Sequence, residues 1–182
     1  MDALTLLLTR QSSPRLIAPG PSAVQLQHIL DAGARVPDHA GLNPWEFIVA
    51  SGEGLDKLGE CFAKAATLNG AETELITKAK MMPTRAPMVI TVVAKVKQHT
   101  KVPEMEQYLA AGCAVMAMQQ AAFAQALGAI WRTGALAFDR HVHQALALAE
   151  TDQIVGFLYI GTPALKASIK PNKAGADFTR YL

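Results

Sequence analysis

Residues 103–128 read PEMEQYLAAGCAVMAMQQAAFAQALG, and the placement of this stretch decides the architecture. From Gln107 to Trp131 there is no charged residue, a run long enough in principle to cross a bilayer. Alanine dominates it, however, and Gln119, Gln120 and Gln125 fall in its second half. Alanine adds little insertion energy and three amides in hydrocarbon oppose it, so a long helix inside a folded core is the better account. Pro103 suits the first turn, Glu104 and Glu106 complement the dipole, and Gly128 supplies a stop. Running to Leu127, such a helix is roughly 37 Å long. Small residues on nearly every face, among them Ala110, Ala111, Gly112, Ala114, Ala117, Ala121 and Ala122, permit close neighbours. A helix apolar all round must be covered all round. That cover comes either from a central position in a monomer or from a second subunit.

Outward from this helix the punctuation is clear. Asp2 caps a first helix whose Leu4, Leu7 and Leu8 form an apolar stripe ending near Arg10. Gln11 to Pro21 is a loop with three prolines. Ser22 with Gln25 opens a second helix as a capping box, running to about Arg35. Pro37 to Pro44 is a second loop, and Trp45 to Ala50 reads as a strand. Helices follow over Leu55 to Leu68 and Glu72 to Lys80. The β-branched run within Met88 to Val96 predicts a buried strand. Beyond the long helix come a strand over Ala129 to Thr133, a helix over Asp139 to Leu148 and a strand over Ile154 to Ile160. After Gly161 the chain turns polar. The fold class is α+β, with strands too separated for tight hairpins and one domain over residues 1–182.

Composition narrows the function. A net charge of +2 leaves no broad field for gripping nucleic acid. Cys61 and Cys113 have neither metal-ligand nor CxxC spacing, and Cys113 in its Ala-rich helix reads as a small hydrophobe. The N-terminus lacks a basic region ahead of Leu4 to Leu8, so no signal peptide is expected and a cytoplasmic location follows. No GxGxxG follows a strand, and there is no P-loop and no GxSxG. His141 and His143, two apart on a helix, do not share a face, so no metal site is expected.

Three stretches carry polar groups where a ligand could be held. In Arg10-Gln11-Ser12-Ser13-Pro14-Arg15, two guanidinium forks flank hydroxyls and loop amides, a set that suits phosphate. An arginine closing a helix before a Ser-Pro turn explains it equally. Arg35 and His39, in Arg35-Val36-Pro37-Asp38-His39, lie on a loop that feeds a strand through Asn43-Pro44-Trp45. Loops leaving rigid elements commonly carry ligand groups, although Asn43-Pro44 also reads as turn chemistry and Trp45 as a core anchor. In Ile130-Trp131-Arg132-Thr133-Gly134-Ala135 an apolar strand ends abruptly on polar groups, and Gly134 permits close approach to a flat ring. A solvated edge arginine is the plain alternative.

The order and spacing of these stretches resemble the nitroreductase family over essentially the whole chain. The carriers are Asp2-Ala3-Leu4 through Arg10 and Ser12, Ala34 to His39, Pro44-Trp45, Arg85-Ala86-Pro87, Ala111 to Gln119, Ile130 to Leu136, and Val155 to Pro163. The resemblance implies a mainly antiparallel sheet flanked by helices and an obligate homodimer holding two FMN molecules at its interface. It implies that FMN takes hydride from NAD(P)H at N5 and passes it, in ping-pong order, to nitro compounds, quinones or similar small acceptors. Arg10, Gln11 and Ser12 would contact FMN with Trp131, Arg132 and Thr133 of the same subunit, and Arg35 and His39 from the partner. Nicotinamide contacts would fall at Ala121, Ala122, Phe123, Ala124, Gln125 and Ala126. Arg10 with Ser12 would favour the reduced flavin near N1 and O2. No protein nucleophile or acid is required, since the cofactor carries the chemistry. Two departures stand out: Gln11 replaces a frequent arginine, and Asn43 replaces a frequent glutamine. Lys166, Lys170, Lys173 and Arg180 of the tail leave open which cation, if any, meets the phosphate. A dimer that stores or senses flavin with little reductase activity is the rival reading.

Overall fold

The computed structural model describes residues 1–165, 170–171 and 173–182. The first two helix starts marked by the sequence are built by the side chains that mark them. Asp2 accepts the amide of Thr5 at 3.0 Å to open α1 (Ala3–Thr9). Ser22 and Gln25 exchange side-chain-to-backbone hydrogen bonds in both directions to open α2 (Ala23–Ala34). Between them lies β1 (Leu16–Ile17), a two-residue strand inside the proline-rich loop. The chain continues through β2 (Trp45–Ser51), α3 (Glu53–Leu68), α4 (Thr73–Lys80) and β3 (Met88–Ala94). Then come α5 (Glu104–Ala124), β4 (Gly128–Arg132), α6 (Arg140–Ala145), capped by Asp139, and β5 (Gln153–Pro163).

Every strand pairing is antiparallel. β3 lies between β2 and β5, and the free edge of β5 is shared by β4 along 157–161 and β1 at 162–163. All seven residues of β3 are buried, because its side chains alternate between two apolar layers. Val89 and Val93 join Leu58, Phe62 and Phe157 on the α3 side. Met88, Ile90 and Val92 join Ile29, Val115 and Met118 on the side of α2 and α5. A strand with helices on both faces has no polar face to show, which is why its sequence lacks alternation. Thr91 is the exception within it, its Oγ1 buried without a hydrogen-bond partner.

Two glycines make close approaches possible. A Cβ at Gly33 of α2 would stand 2.8 Å from Met118 Cγ of α5, so the absence of a side chain sets how near these helices pack. At Gly156 a Cβ would stand 2.0 Å from Trp131 Nε1. The register steps from Val92↔Gly156 to Val93↔Ile154, leaving Val155 as a bulged extra residue. Its carbonyl accepts the Trp131 indole N–H at 3.0 Å.

The long helix departs from expectation in two ways. It stops at Ala124, about 31 Å from its start, because Ala126 takes the left-handed conformation (φ 61) that glycine usually supplies. Gly128 instead begins β4, where a Cβ would stand 2.7 Å from Leu16 Cδ2 and 2.9 Å from Ser13 Cβ. The helix is also not covered on all sides within one chain. Gln107, Ala111, Ala114, Val115, Met118 and Ala122 face the core. Met105, Leu109, Cys113 and Met116, at helical spacing on one face, are exposed, so Cys113 is not the buried hydrophobe its neighbours suggest. Among the described residues no helix is long and apolar enough to cross a membrane.

Candidate cofactor site

The first candidate stretch is tied to the sheet before it is tied to anything else. The Ser13 amide donates to the Ala129 carbonyl at 2.9 Å. The Gln119 side-chain amide, itself 3% exposed, donates to Ala129 O at 3.2 Å and to Ser12 Oγ at 3.3 Å. Gln119 therefore fixes the loop after α1 against the start of β4. Gln107, at the other end of the helix, similarly bonds both backbone groups of Lys97 at 2.8 Å. Held this way, Leu8, Thr9, Arg10, Gln11 and Ser12 form one wall of a cleft of about 400 Å³, and Lys170, Pro171 and Lys173 form the other. Among the described residues, three cations and two hydroxyls line this volume with no carboxylate. Lys170 and Lys173 are the tail cations that sequence alone left undecided. Arg180 does not line this cleft, and Lys166 lies outside the described residues.

Trp131, Arg132 and Thr133 line a second cleft of about 490 Å³ with Gly134, Ala135 and Leu136. Its floor is apolar, made of Phe62 and Phe157 in edge-to-face contact at 5.2 Å, with Met82 beside them. Gly134 sits at φ 67 with open space where a Cβ would project. Its freedom serves backbone conformation, and it leaves the approach to the cleft clear. Trp131 is partly structural, since its indole N–H is already bonded to Val155. Only its ring and backbone remain to meet a ligand. Arg132 lies over the Tyr159 ring, 6.0 Å from its centroid. Burial pushes the Tyr159 phenol above its usual range, with the positive charges of Arg85 and Arg132 opposing the shift. The sequence offered Arg85 only as part of a family pattern. Its signal is position, directly before the central strand.

The two clefts are ends of one arrangement. From Ala129, bonded to Ser13, to Thr133 is four residues of extended chain, or roughly 13 Å.

Arg35 and His39 are elsewhere. Arg35 ends α2 with its backbone N–H on Ala32 O, its side chain exposed. His39 Nδ1 lies 2.7 Å from Glu106 Oε2 in the first turn of α5. Ser12 meets α5 at Gln119, thirteen residues further on, or roughly 20 Å along the axis. One subunit thus does not bring His39 to the Arg10–Ser12 cleft. Around it the loop is held by turn chemistry: Asp38 accepts the Leu42 and Asn43 amides, and Asn43 takes φ 46.

The segment expected to meet nicotinamide divides. Ala122 is fully buried in the core. Gln125 brackets α5 to α2 through His28 Nδ1 (3.1 Å) and the Gln25 carbonyl (3.3 Å). Phe123, Ala124 and Ala126 line an apolar hollow of about 490 Å³ that shares Thr9 and Gln11 with the Arg10 cleft. Ala121 packs against the α2–α5 core layer. Elsewhere, His143 is buried between the Ala137 carbonyl at 2.9 Å and Arg140 at 3.3 Å. No group of three metal-ligating side chains gathers among the described residues.

Together these features define an α+β protein with a basic cradle and an apolar-floored cleft set along one strand. The family model described as Nitroreductase family matches residues 16–162, and the chain belongs to that family. The protein named "Putative NAD(P)H nitroreductase YdjA" of Escherichia coli strain K12 is 51% identical over 172 residues, covering 94% of each chain. Among solved structures, a nitroreductase-like family protein from Bacillus cereus superimposes with a TM-score of 0.84 at 19% identity, covering 100% of this chain and 96% of that one. A nitroreductase with bound FMN from Bacteroides fragilis superimposes with a TM-score of 0.76 at 20% identity, covering all of both chains.

Proposed function

We propose that this chain is an FMN-dependent oxidoreductase that moves hydride from NAD(P)H to nitro compounds, quinones or similar small acceptors, acting as a cytoplasmic homodimer. The observation that carries the reading is the pair of clefts on β4. The Arg10–Ser12 cradle, with Lys170 and Lys173 opposite, has the cation and hydroxyl set that a phosphate needs. The Trp131–Thr133 cleft has the apolar floor and open backbone that a flat ring needs. Their separation is comparable with the length of a ribityl phosphate. Family membership and the FMN bound by the Bacteroides fragilis neighbour support the same assignment.

Bound there, FMN would supply the hydride chemistry between NAD(P)H and an acceptor that follows in ping-pong order. The chain supplies the rest. Arg10, Gln11, Ser12 and the two lysines anchor the phosphate end. In this reading Arg10 meets the phosphate end of the cofactor. Trp131, Arg132 and Thr133 orient the ring, and Phe62, Phe157 and Met82 exclude water beneath it. The open α5 face of Met105, Leu109, Cys113 and Met116 is the dimer contact. His39 and Arg35, remote from the cradle in their own subunit, reach the partner's.

Two measurements on the purified protein test this. Its absorbance spectrum should show flavin bands, and NADPH oxidation should depend on added nitroaromatic or quinone. A protein that holds FMN but gives no acceptor-dependent oxidation is a flavin store or sensor, and the enzymatic reading fails.

A further inference from the structure

Hydride transfer leaves the reacting ring with more charge than it had before, and that charge needs a counterpart in the protein. The donor gives up two electrons and one proton as hydride and departs as oxidised NAD(P). The ring, neutral before the step, gains one negative charge. In the reading above, Arg10 and the two lysines stand at the phosphate end, away from this charge. The cleft at the end of β4, which would hold the ring, is lined by two guanidinium groups, Arg132 and Arg85. Its lining contains no carboxylate, and among the described residues neither arginine forms an ion pair. The two reach one place from different elements. Arg132 lies over the Tyr159 ring, and both arginines oppose the burial that pushes the Tyr159 phenol up. Both are exposed in the single chain, so water solvates their charge until a ligand covers the cleft.

We propose that Arg85, together with Arg132, is the counterpart of the charge gained by the reduced ring and so raises the reduction potential of the bound cofactor. This role rests on the reductase reading and adds to it a residue that acts once electrons arrive. A group that met the oxidised and reduced ring alike would strengthen binding and leave the potential untouched. A cation meets a full opposite charge only in the reduced form. The apolar floor of Phe62, Phe157 and Met82 strengthens that attraction by keeping water from one side of it. Position separates Arg85 from a freely swinging surface arginine. It ends the turn Pro83–Arg85, directly before β3, where Pro83, Ala86 and Met88 are buried around it. Its guanidinium therefore extends from a fixed root beside the cleft.

The potential of bound FMN tests this without turnover. Purified protein loaded with FMN is equilibrated with a reference dye during slow reduction, and the Kd of oxidised FMN is read from quenching of flavin fluorescence. The wild-type potential should lie above that of free FMN. Arg85→Gln should weaken binding of reduced FMN about tenfold more than that of oxidised FMN, the scale of one partly screened charge pair. For a two-electron couple this lowers the potential by about 30 mV. Arg85→Lys, which keeps the charge, should lie closer to the wild type. An unchanged potential in Arg85→Gln overturns the assignment, whether FMN affinity holds or falls equally in both redox states, since Arg85 is then an ordinary ligand or a structural residue. A lysine variant as low as the glutamine one overturns it as well. So does a wild type poised below free FMN, a result that needs no variant to fold. Protein that takes up no FMN refutes the cofactor reading and this role together, whereas the other failures leave that reading standing.

Discussion

Gly156→Ala is a one-methyl change with a large expected consequence. The new Cβ would stand 2.0 Å from Trp131 Nε1, 2.5 Å from Cδ1 and 3.1 Å from Cε2. Unstrained contacts begin near 3.5 Å, so the indole must retreat by about 1.5 Å. Neither the sheet backbone nor the paired β4 can absorb that without loss. The first loss is the hydrogen bond from the indole to Val155 O, worth about 1 kcal/mol. The second is overpacking beneath β4, typically about 1–3 kcal/mol. The sum is about 2–4 kcal/mol, which in a chain of this size lowers Tm by roughly 5–15 °C. Thermal unfolding followed by circular dichroism measures it, with tryptophan emission reporting the displaced indole. Gly54→Ala is the control, since its nearest neighbour is Ala50 Cβ at 3.7 Å and the helix gains propensity. A Gly156→Ala protein melting within about 1 °C of the parent would refute the argument that Trp131 is locked over β5.

Further outcomes test other parts of the structure. Thr91→Val removes a buried hydroxyl with no partner and should raise stability by about 1 kcal/mol in urea titration. Lys95 bonds Asp152, which is 4% exposed, and this hydrogen bond holds the ammonium above its ordinary value of 10.5. A raised lysine stabilises fully below that value and loses its contribution as pH climbs through the folded one, so Tm should fall above about pH 10.5. Lys95→Met should remove that fall and lower stability at neutral pH by about 2 kcal/mol, less than for a fully buried pair because the ammonium is partly in water. Arg10→Ala should release FMN on gel filtration; unchanged flavin content would remove Arg10 from the cradle. Leu109→Glu, on the open face of α5, should convert the proposed dimer to a monomer by light scattering and lower flavin retention with it.

What sequence could deliver was whatever is decided within a few residues. Asp2, and Ser22 with Gln25, cap helices through contacts three residues away, and each is found as read. The end of α5 was not legible, because the choice between Ala126 and Gly128 was made by Leu16 and Ser13, more than a hundred residues distant. The bulge at Val155 likewise exists only in the register between β3 and β5, and with it the indole bond that removes the Trp131 N–H from ligand duty. Arg10 to Ser12 and Trp131 to Thr133 were legible as candidates because polar groups ended apolar elements. Lys170 and Lys173 stood undecided among the tail cations, since a cation gains meaning there only from the wall it faces. The resemblance to a family joined these stretches before geometry did.

The row of Met105, Leu109, Cys113 and Met116 has a chemical corollary. Met105 is 65% exposed and Met116 37% in the single chain, and exposed thioethers and thiols are the side chains that peroxide reaches first. Each oxygen added there turns an apolar knob into a polar one on the surface meant to be hidden. In the dimer proposed above, pairing of subunits is then the chain's shield against its own oxidation. A flavin that leaks electrons to dioxygen would mark any subunit that had lost its partner.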